Sequence, residues 1–285
     1  MGAYLRPAEL PVALDALSRG GSGGRPWTIV AGATDHYPAR VGRAIEEDVL
    51  DLTAIGGLRG IHEVDGGWWI GALTTWADVG AMPLPARFDA LRSAALVVGG
   101  RQVQERATIA GNVCNASPAA DGVPCLMALD AEIELASLAG RRRVPVAEFL
   151  TGNRRTIREA SEVATGLFVP VRDPSVEARS SFVKLGSRAY LVISIAMAAA
   201  VVELDGSDRI TRAAIAVGAC SEVARRLSAL ETDLIGRSLD EAVGSVVRED
   251  HVAGLSPIDD VRATAVYRRG AAQAIVRRAL QELAR

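Results

Sequence analysis

Apolar positions change their spacing along the chain, and each change predicts a different secondary-structure element. Leu10, Leu14 and Leu17 recur at helical spacing, which predicts a helix over residues 7–18. Short apolar runs bounded by glycine turns predict strands over 27–30 and 49–52 and a hairpin over 61–70. We therefore expect a small α/β lobe over about residues 1–73.

The pattern of the remaining residues predicts a second lobe and a C-terminal domain. Helices are expected near residues 75–79, 85–98 and 118–129, and strands at 131–137, 143–146 and 163–169. Beyond about residue 172 the pattern predicts a strand at 182–185, a hairpin of 193–204 with 210–218, and a final helix over 261–283. The pattern indicates an α+β fold. A two-lobed domain would cover 1–172, with lobes of about 1–73 and 74–172, and a smaller C-terminal domain with an antiparallel sheet and helices would cover 173–285.

Composition and charge argue against several functions. The net charge of −2 and the aromatic content of 4% do not favour a nucleic-acid surface. Two short basic clusters, Arg141–Arg143 and Arg154–Arg155, are interpreted as solvated turns or partner contacts. The three cysteines form no Cys-x-x-Cys pair and the three histidines are scattered, so no metal site is expected on this chain.

The sequence also predicts a cellular location. The N-terminus lacks the basic region and apolar run of a secretory signal. The longest apolar run, Leu191–Val202, is too short to cross a bilayer. A soluble, cytoplasmic protein without membrane contact is expected.

The segment from residue 108 to 121 is the most informative stretch, and it is interpreted as one loop. Short polar side chains are dense in it, namely Thr108, Asn112, Asn115, Ser117 and Asp121. Gly111 and its small neighbours allow the backbone to approach a ligand closely, and successive backbone N–H groups can form an anion-binding concavity. Pro118 is placed to begin a helix, with Asp121 in its first turn. Diphosphate and sugar hydroxyls are the ligand chemistry that this segment indicates.

A second segment of the same character follows the strand at 27–30. Residues 31–36, Ala-Gly-Ala-Thr-Asp-His, again combine a glycine turn with short polar side chains. Taken alone, they favour an ordinary strand-to-helix turn with Asp35 as its N-cap. The segment contains no Gly-x-Gly-x-x-Gly fingerprint, so a Rossmann site is not predicted.

These segments resemble the FAD-binding loops of the molybdenum hydroxylase flavoproteins. The resemblance rests on Ala31–Asp35, Thr108–Asn112 and Asn115–Asp121, and it extends over nearly the whole chain. The family comprises the medium subunits of carbon monoxide dehydrogenase and its relatives and the FAD domain of xanthine dehydrogenase. It implies a PCMH-type (vanillyl-alcohol oxidase-like) FAD-binding fold. Ala33 and Ala110 depart from the family, which often has glycine there.

The resemblance implies a set of FAD contacts. The backbone of Ala31–Thr34 and of Thr108–Asn112 would hold the diphosphate, and Asn115, Ser117 and Asp121 would meet ribityl or diphosphate oxygens. Leu167 would contact the adenine or the flavin edge, and Tyr190 would face the isoalloxazine ring unless it is a core or interface residue. The full set of cofactor-binding residues expected from the sequence is Ile29, Ala31, Gly32, Ala33, Thr34, Asp35, His36, Thr108, Ile109, Gly111, Asn112, Asn115, Ser117, Asp121, Leu167, Lys184 and Tyr190.

Lys184 is the only lysine among 32 basic residues, in a segment that resembles the family's F-x-K-x-x-x-R. A compact ammonium on a flexible stem differs from a guanidinium in reach and hydration, which makes it a candidate contact to the flavin or its diphosphate. The alternative is a chance lysine on a strand surface.

The resemblance also implies a function. A molybdenum-cofactor site on a large subunit would supply electrons to iron–sulfur clusters on a small subunit. This chain would carry FAD and pass those electrons to NAD or another acceptor. No catalytic acid–base residue is expected on it. Two alternatives are a self-contained FAD-dependent oxidoreductase acting on a small substrate, and a regulatory or assembly protein that has lost its flavin.

Overall fold

The computed structural model describes residues 2–285 and is built from short strands and helices. The strands are β1 (Tyr4–Leu5), β2 (Thr28–Val30), β3 (Val49–Asp51), β4 (Ile61–Val64), β5 (Gly67–Gly71), β6 (Glu132–Ser137), β7 (Gly140–Pro145), β8 (Leu150–Gly152), β9 (Arg155–Thr156), β10 (Val163–Pro170), β11 (Glu177–Leu185), β12 (Ala196–Leu204), β13 (Ile210–Gly218) and β14 (Arg225–Arg226). The helices are α1 (Leu10–Arg19), α2 (Trp76–Ala81), α3 (Asp89–Val97), α4 (Arg101–Gln104), α5 (Ile109–Cys114), α6 (Gly122–Ala128), α7 (Val146–Phe149), α8 (Ser228–Leu234) and α9 (Ala265–Leu283). None of the described helices is long and apolar enough to cross a membrane.

The first sheet is parallel, with strand order β1-β3-β2. Helix α1 covers it and buries Ala13, Leu14 and Leu17 against Leu50. Leu17 follows Ala13 by four residues and Leu14 by three, so these side chains lie on one apolar face of the helix. The predicted α/β arrangement at the N-terminus is therefore confirmed, with α1 beginning at Leu10 rather than at residue 7.

The second sheet has the order β4-β5-β10-β6-β7, and all of its pairs are antiparallel. The sequence pattern predicts the β4–β5 hairpin within the first lobe, but in the structure it does not join the first sheet. Strand β5 pairs with β10 through Ile70 and Leu167, so the hairpin belongs to the second sheet. The first sheet uses no residue after Asp51, although Ile55, Leu58 and Leu73 pack in the core beneath it.

The segment from residue 108 to 121 is not a single loop. It contains the short helix α5, which begins after Thr108; the Thr108 side chain accepts a hydrogen bond from the Gly111 amide. Ile109 and Val113 lie four residues apart and are both buried, so an apolar face holds this turn of helix in place. The helix expected from Pro118 begins only at Gly122, with Asp121 as the residue before it.

The C-terminal sheet is antiparallel, with order β11-β12-β13-β14, and the predicted hairpin of β12 and β13 is confirmed. Strand β12 is buried on both faces. Met197, Ala199 and Val201 belong to the hydrophobic core shared with the second sheet and α6. The intervening residues Ala198 and Ala200 belong to a second core, which α9 covers with Ile275 and Leu280 among others.

Candidate functional site

A cleft of about 720 Å³ lies between the two segments singled out by the sequence. Such a volume is in the range of cofactor and ligand pockets. The first segment contributes the whole run from Trp27 to His36, and the second contributes residues of α5 and its flanks. The further lining residues are Arg40, Leu52, Ala72, Leu73, Trp76, Val98, Val103, Ala107, Thr108, Ala110, Gly111, Asn112, Cys114, Asn115, Arg158 and Ala164.

The backbone at Gly32 lies against the chain that precedes α5. A Cβ atom at Gly32 would lie 1.9 Å from the carbonyl oxygen of Arg106, so no other residue fits without displacing one of the two segments. The next residue, Ala33, has φ 52, a left-handed conformation that favours glycine. This turn explains why the resembling family often has glycine at this position.

Three cleft-lining residues each have a buried polar atom without a hydrogen-bond partner among the described residues. For His36 this atom is Nε2, which still has the Glu47 carboxylate 3.5 Å away, whereas Oδ1 of Asn112 and Nε1 of Trp76 have no such neighbour. Buried polar groups are almost always hydrogen-bonded, so this acceptor and this donor indicate that a ligand with hydroxyl and acceptor groups completes the site. A ribityl chain and a diphosphate carry such groups, and the cleft residues therefore fit FAD.

Two arginine side chains line the cleft, and only one of them is paired with a carboxylate. The Arg158 guanidinium donates to the carbonyl oxygens of Glu159 and Glu162 and has no carboxylate within ion-pair distance among the described residues. Arg40 is paired with Glu47 at 2.5 Å. Burial, followed by the charge of Arg40, lowers the pKa of His36, which favours its neutral form. Arg158 was not among the predicted site residues, because it lies between short strands and outside any motif.

The Cys114 thiol also lines the cleft. Burial raises its pKa to about 11, so it is protonated at neutral pH and is not a nucleophile. It is a small packing residue. No group of three or more His, Cys, Asp or Glu side chains in residues 2–285 is placed to hold a metal ion.

Asp121 and Lys184 form a buried ion pair with each other rather than lining the cleft. Lys184 Nζ donates to Asp121 Oδ2 at 2.6 Å and to the carbonyl oxygen of Val97 at 3.3 Å. Ser194 Oγ donates to the other Asp121 oxygen at 2.6 Å. Burial raises the pKa of Asp121, while the charge of Lys184 and hydrogen bonds from Lys184 and Ser194 oppose this rise. Lys184 is not the exposed strand residue of the alternative interpretation.

The structure divides the other predicted contacts into two groups. The cleft lining includes Ile29, Ala31, Gly32, Ala33, Thr34, Asp35, His36, Thr108, Gly111, Asn112 and Asn115. It does not include Ile109, Ser117, Asp121, Leu167, Lys184 or Tyr190. Leu167 is fully buried, and its backbone pairs with Ile70 on one side and Ile133 on the other. It therefore presents no free group to a ligand, whereas Tyr190 is 71% exposed.

Comparison with known proteins identifies the class of protein that this fold and cleft define. Residues 1–172 match the family model described as the FAD binding domain in molybdopterin dehydrogenase, and residues 181–283 match that of the CO dehydrogenase flavoprotein C-terminal domain. The two matches define a flavoprotein. The chain belongs to the FAD-binding medium subunits of the molybdenum hydroxylase family, as the resemblance in its sequence indicated.

Relatives with this arrangement match over nearly their full length. The carbon monoxide dehydrogenase medium chain of Afipia carboxidovorans is 30% identical over 98% of this chain and 95% of its own. The glyceraldehyde dehydrogenase medium chain of Sulfolobus acidocaldarius is 28% identical over 99% and 98%. A solved structure of the carbon monoxide dehydrogenase from Hydrogenophaga pseudoflava that lacks the Mo-pyranopterin moiety is similar, with a TM-score of 0.88 and 29% identity, covering 99% of this chain and 96% of that chain.

Proposed function

We propose that this chain is the FAD-carrying electron-transfer subunit of a multi-subunit molybdenum hydroxylase. In the proposal, a large subunit holds the molybdenum cofactor, a small subunit holds [2Fe-2S] clusters, and NAD or another acceptor receives the electrons at this chain. The relatives named medium chain support this composition.

The observation that carries the proposal is the junction of the two segments at one cleft, with Asn112 Oδ1 buried and unpaired on its wall. Bound FAD would supply the redox chemistry, since a flavin accepts electrons singly and releases them singly or in pairs. The backbone of residues 31–34 and 108–112 would hold the diphosphate, with Gly32 allowing the close approach. Asn112 Oδ1 would accept a hydrogen bond from a ribityl hydroxyl. Arg158 would place a positive charge at the cleft wall, which favours an anionic ligand.

Residues outside the cleft support its wall in this proposal. Lys184 fixes the carbonyl of Val97, the neighbour of the cleft residue Val98, and Asp121 holds Lys184 in place. The segment of Tyr190 reaches the same wall, because the Leu191 side chain lies beside Gly100, between Val98 and Val103. Tyr190 is therefore proposed to face the isoalloxazine ring from this exposed segment.

FAD binding to the purified chain is the first test. The FAD-free protein should quench flavin fluorescence on titration, and Asn112→Leu should raise the Kd by roughly two- to tenfold through the loss of one hydrogen bond. Gln281→Leu, an exposed change on α9 far from the cleft, is the matched control. Equal Kd values for Asn112→Leu and wild type would contradict the assigned cleft.

The electron-transfer role is tested on the native complex. Purification from the source organism should yield flavin, molybdenum, iron and two partner chains, and NAD should reoxidise the reduced complex in a stopped-flow assay. Reoxidation by another acceptor only would refute NAD and retain the subunit role. Flavin without metals or partners, reduced directly by a small substrate, would instead support the self-contained oxidoreductase.

A further inference from the structure

The turn between β8 and β9 connects three parts of the molecule. Its residue Arg154 has φ 58, and its amide donates to the carbonyl oxygen of Ala116 at 2.9 Å. The preceding amide, of Asn153, donates to the carboxylate of Glu222 in the C-terminal domain at 3.2 Å. The turn is thus anchored on both sides, and the left-handed conformation of Arg154 is held by these contacts.

From this anchored position the Arg154 side chain reaches both cofactor segments. Its Nη1 atom lies 2.7 Å from Asp35 Oδ2, and its Nη2 atom lies 3.5 Å from Asp35 Oδ1. Nη1 also donates to the side-chain oxygen of Asn115. Asp35 belongs to the first segment and Asn115 to the second, and both line the cleft.

Among the described residues, no hydrogen bond joins the two segments to each other, and Arg154 is the side chain that bonds to both. Within residues 31–36 and 108–121, every recorded bond stays inside one segment or leads to a third part of the protein. The van der Waals contact at Gly32 fixes how close the segments are at their base. Arg154 is the polar bridge between them, and a planar guanidinium is the group that can serve two acceptors in fixed directions.

We propose that Arg154 is a positioning residue that bridges the two FAD-binding segments and sets their separation before the cofactor arrives. This inference rests on the proposed function, because it assigns the cleft to FAD. It replaces the interpretation of Arg154 as a solvated turn residue. A bridge of this kind raises affinity by reducing the ordering that the ligand itself must impose.

The test uses two variants and a matched control in the full chain. Arg154→Ala removes the bridge, and Arg154→Lys retains the charge but not the planar fork. Both should raise the Kd for FAD by about three- to tenfold, the range expected for a partly exposed charge-assisted contact. Arg248→Ala is the control, since Arg248 is similarly exposed and pairs with Asp233 and Asp250, which lie outside both segments and outside the β8–β9 turn. It should stay within about twofold of wild type.

A second measurement separates positioning from general stability. Hydrogen–deuterium exchange of the FAD-free protein should show faster exchange at residues 31–36 in Arg154→Ala than in Arg248→Ala, with unchanged exchange in α9. If Arg154→Lys binds FAD with the wild-type Kd, a positive charge alone is sufficient and the planar bridge is refuted. If the exchange rates of residues 31–36 are unchanged in Arg154→Ala, Arg154 does not position the segments. If the wild-type chain fails to bind FAD, the proposed function falls, and the exchange experiment still decides whether Arg154 joins the segments.

Discussion

Replacement of Lys184 by methionine tests whether the Asp121–Lys184 pair stabilises the fold itself. Methionine keeps the length and apolar stem of lysine but removes the ammonium. Asp121 would then retain only the hydrogen bond from Ser194 for a carboxylate whose side chain is 7% exposed. Because the pair is buried, we expect this change to destabilise the protein even without FAD.

The magnitude follows from the distance and the burial. Two unit charges separated by the 2.6 Å between Nζ and Oδ2 attract each other by about 6 kcal/mol at an effective dielectric constant of about 20. Desolvation of both groups offsets much of this attraction, so the pair as a whole contributes little. Removal of one partner leaves the other charge buried and uncompensated, which costs about 3–5 kcal/mol.

The cost should depend on pH in a defined direction. Burial already raises the pKa of Asp121, and Lys184 opposes that rise. In Lys184→Met the opposing charge is gone, so the folded-state pKa rises further above the unfolded value of about 3.9. When the pKa of a carboxyl group is higher in the folded than in the unfolded protein, the free energy of unfolding falls as the pH rises from the unfolded-state pKa to the folded-state pKa. The variant should therefore be destabilised more at pH 8 than at pH 5.

Urea unfolding of the FAD-free protein at both pH values measures this effect without any flavin contact. Arg278→Ala, which breaks an exposed pair with Glu282 on α9, serves as the control and should change the free energy of unfolding by less than about 1 kcal/mol. Adding Asp121→Asn to Lys184→Met should recover part of the loss and abolish its pH dependence. A loss below about 1 kcal/mol that is equal at both pH values would refute the reasoning.

Three further outcomes are expected. Gly32→Ala should abolish FAD binding in a fluorescence titration, because its Cβ would lie 1.9 Å from the Arg106 carbonyl oxygen; retained binding would show that the two segments can separate. Ala33→Gly should bind FAD at least as tightly as wild type, and its free energy of unfolding in urea should rise by up to about 1 kcal/mol. The reason is that glycine removes the strain of the left-handed conformation at φ 52, and this gain exceeds the free-energy cost of the more flexible unfolded chain. A loss of stability would contradict this. Although burial raises the pKa of Asp260, hydrogen bonds, including one from the Arg268 guanidinium, lower it to about 2. The stability that Asp260 provides should therefore be present above about pH 4 and be lost as pH falls towards about 2. Acid unfolding of Asp260→Asn should lack this contribution, and a profile identical to wild type would exclude it.

The sequence predicted those parts of the fold that depend on local pattern. The apolar spacing of α1 and the hairpin of β12 and β13 follow from side-chain periodicity alone. The two cofactor segments were recognised because glycine and short polar side chains at close spacing serve few other purposes. The structure brings these segments together at one cleft, which neither segment could show by itself.

What the sequence did not predict depends on contacts between distant residues. The β4–β5 hairpin carries the same local pattern whichever sheet it joins, and its pairing with β10 spans about a hundred residues of chain. The ion pair of Asp121 and Lys184 is likewise a contact between distant residues, 63 positions apart in the chain. Both residues were predicted to contact the ligand because their chemistry suits one, and in the structure they bind each other. Arg154 was interpreted as part of a solvated turn or a partner contact, because a short basic cluster does not indicate which groups its side chains bind.

The two-faced burial of β12 has a consequence for the cleft. Its odd-numbered residues, such as Met197 and Ala199, pack on the core that contains α6, and its even-numbered residues pack under α9. The sheet that carries Lys184 is therefore fixed to the FAD-binding domain by a continuous apolar layer and is not a separate body on a linker. Lys184 reaches from that sheet to the Val97 carbonyl, next to the cleft wall at Val98. The C-terminal domain thus contacts the wall of the cleft proposed to hold FAD, and a change in its packing would reach that cleft through close-packed contacts.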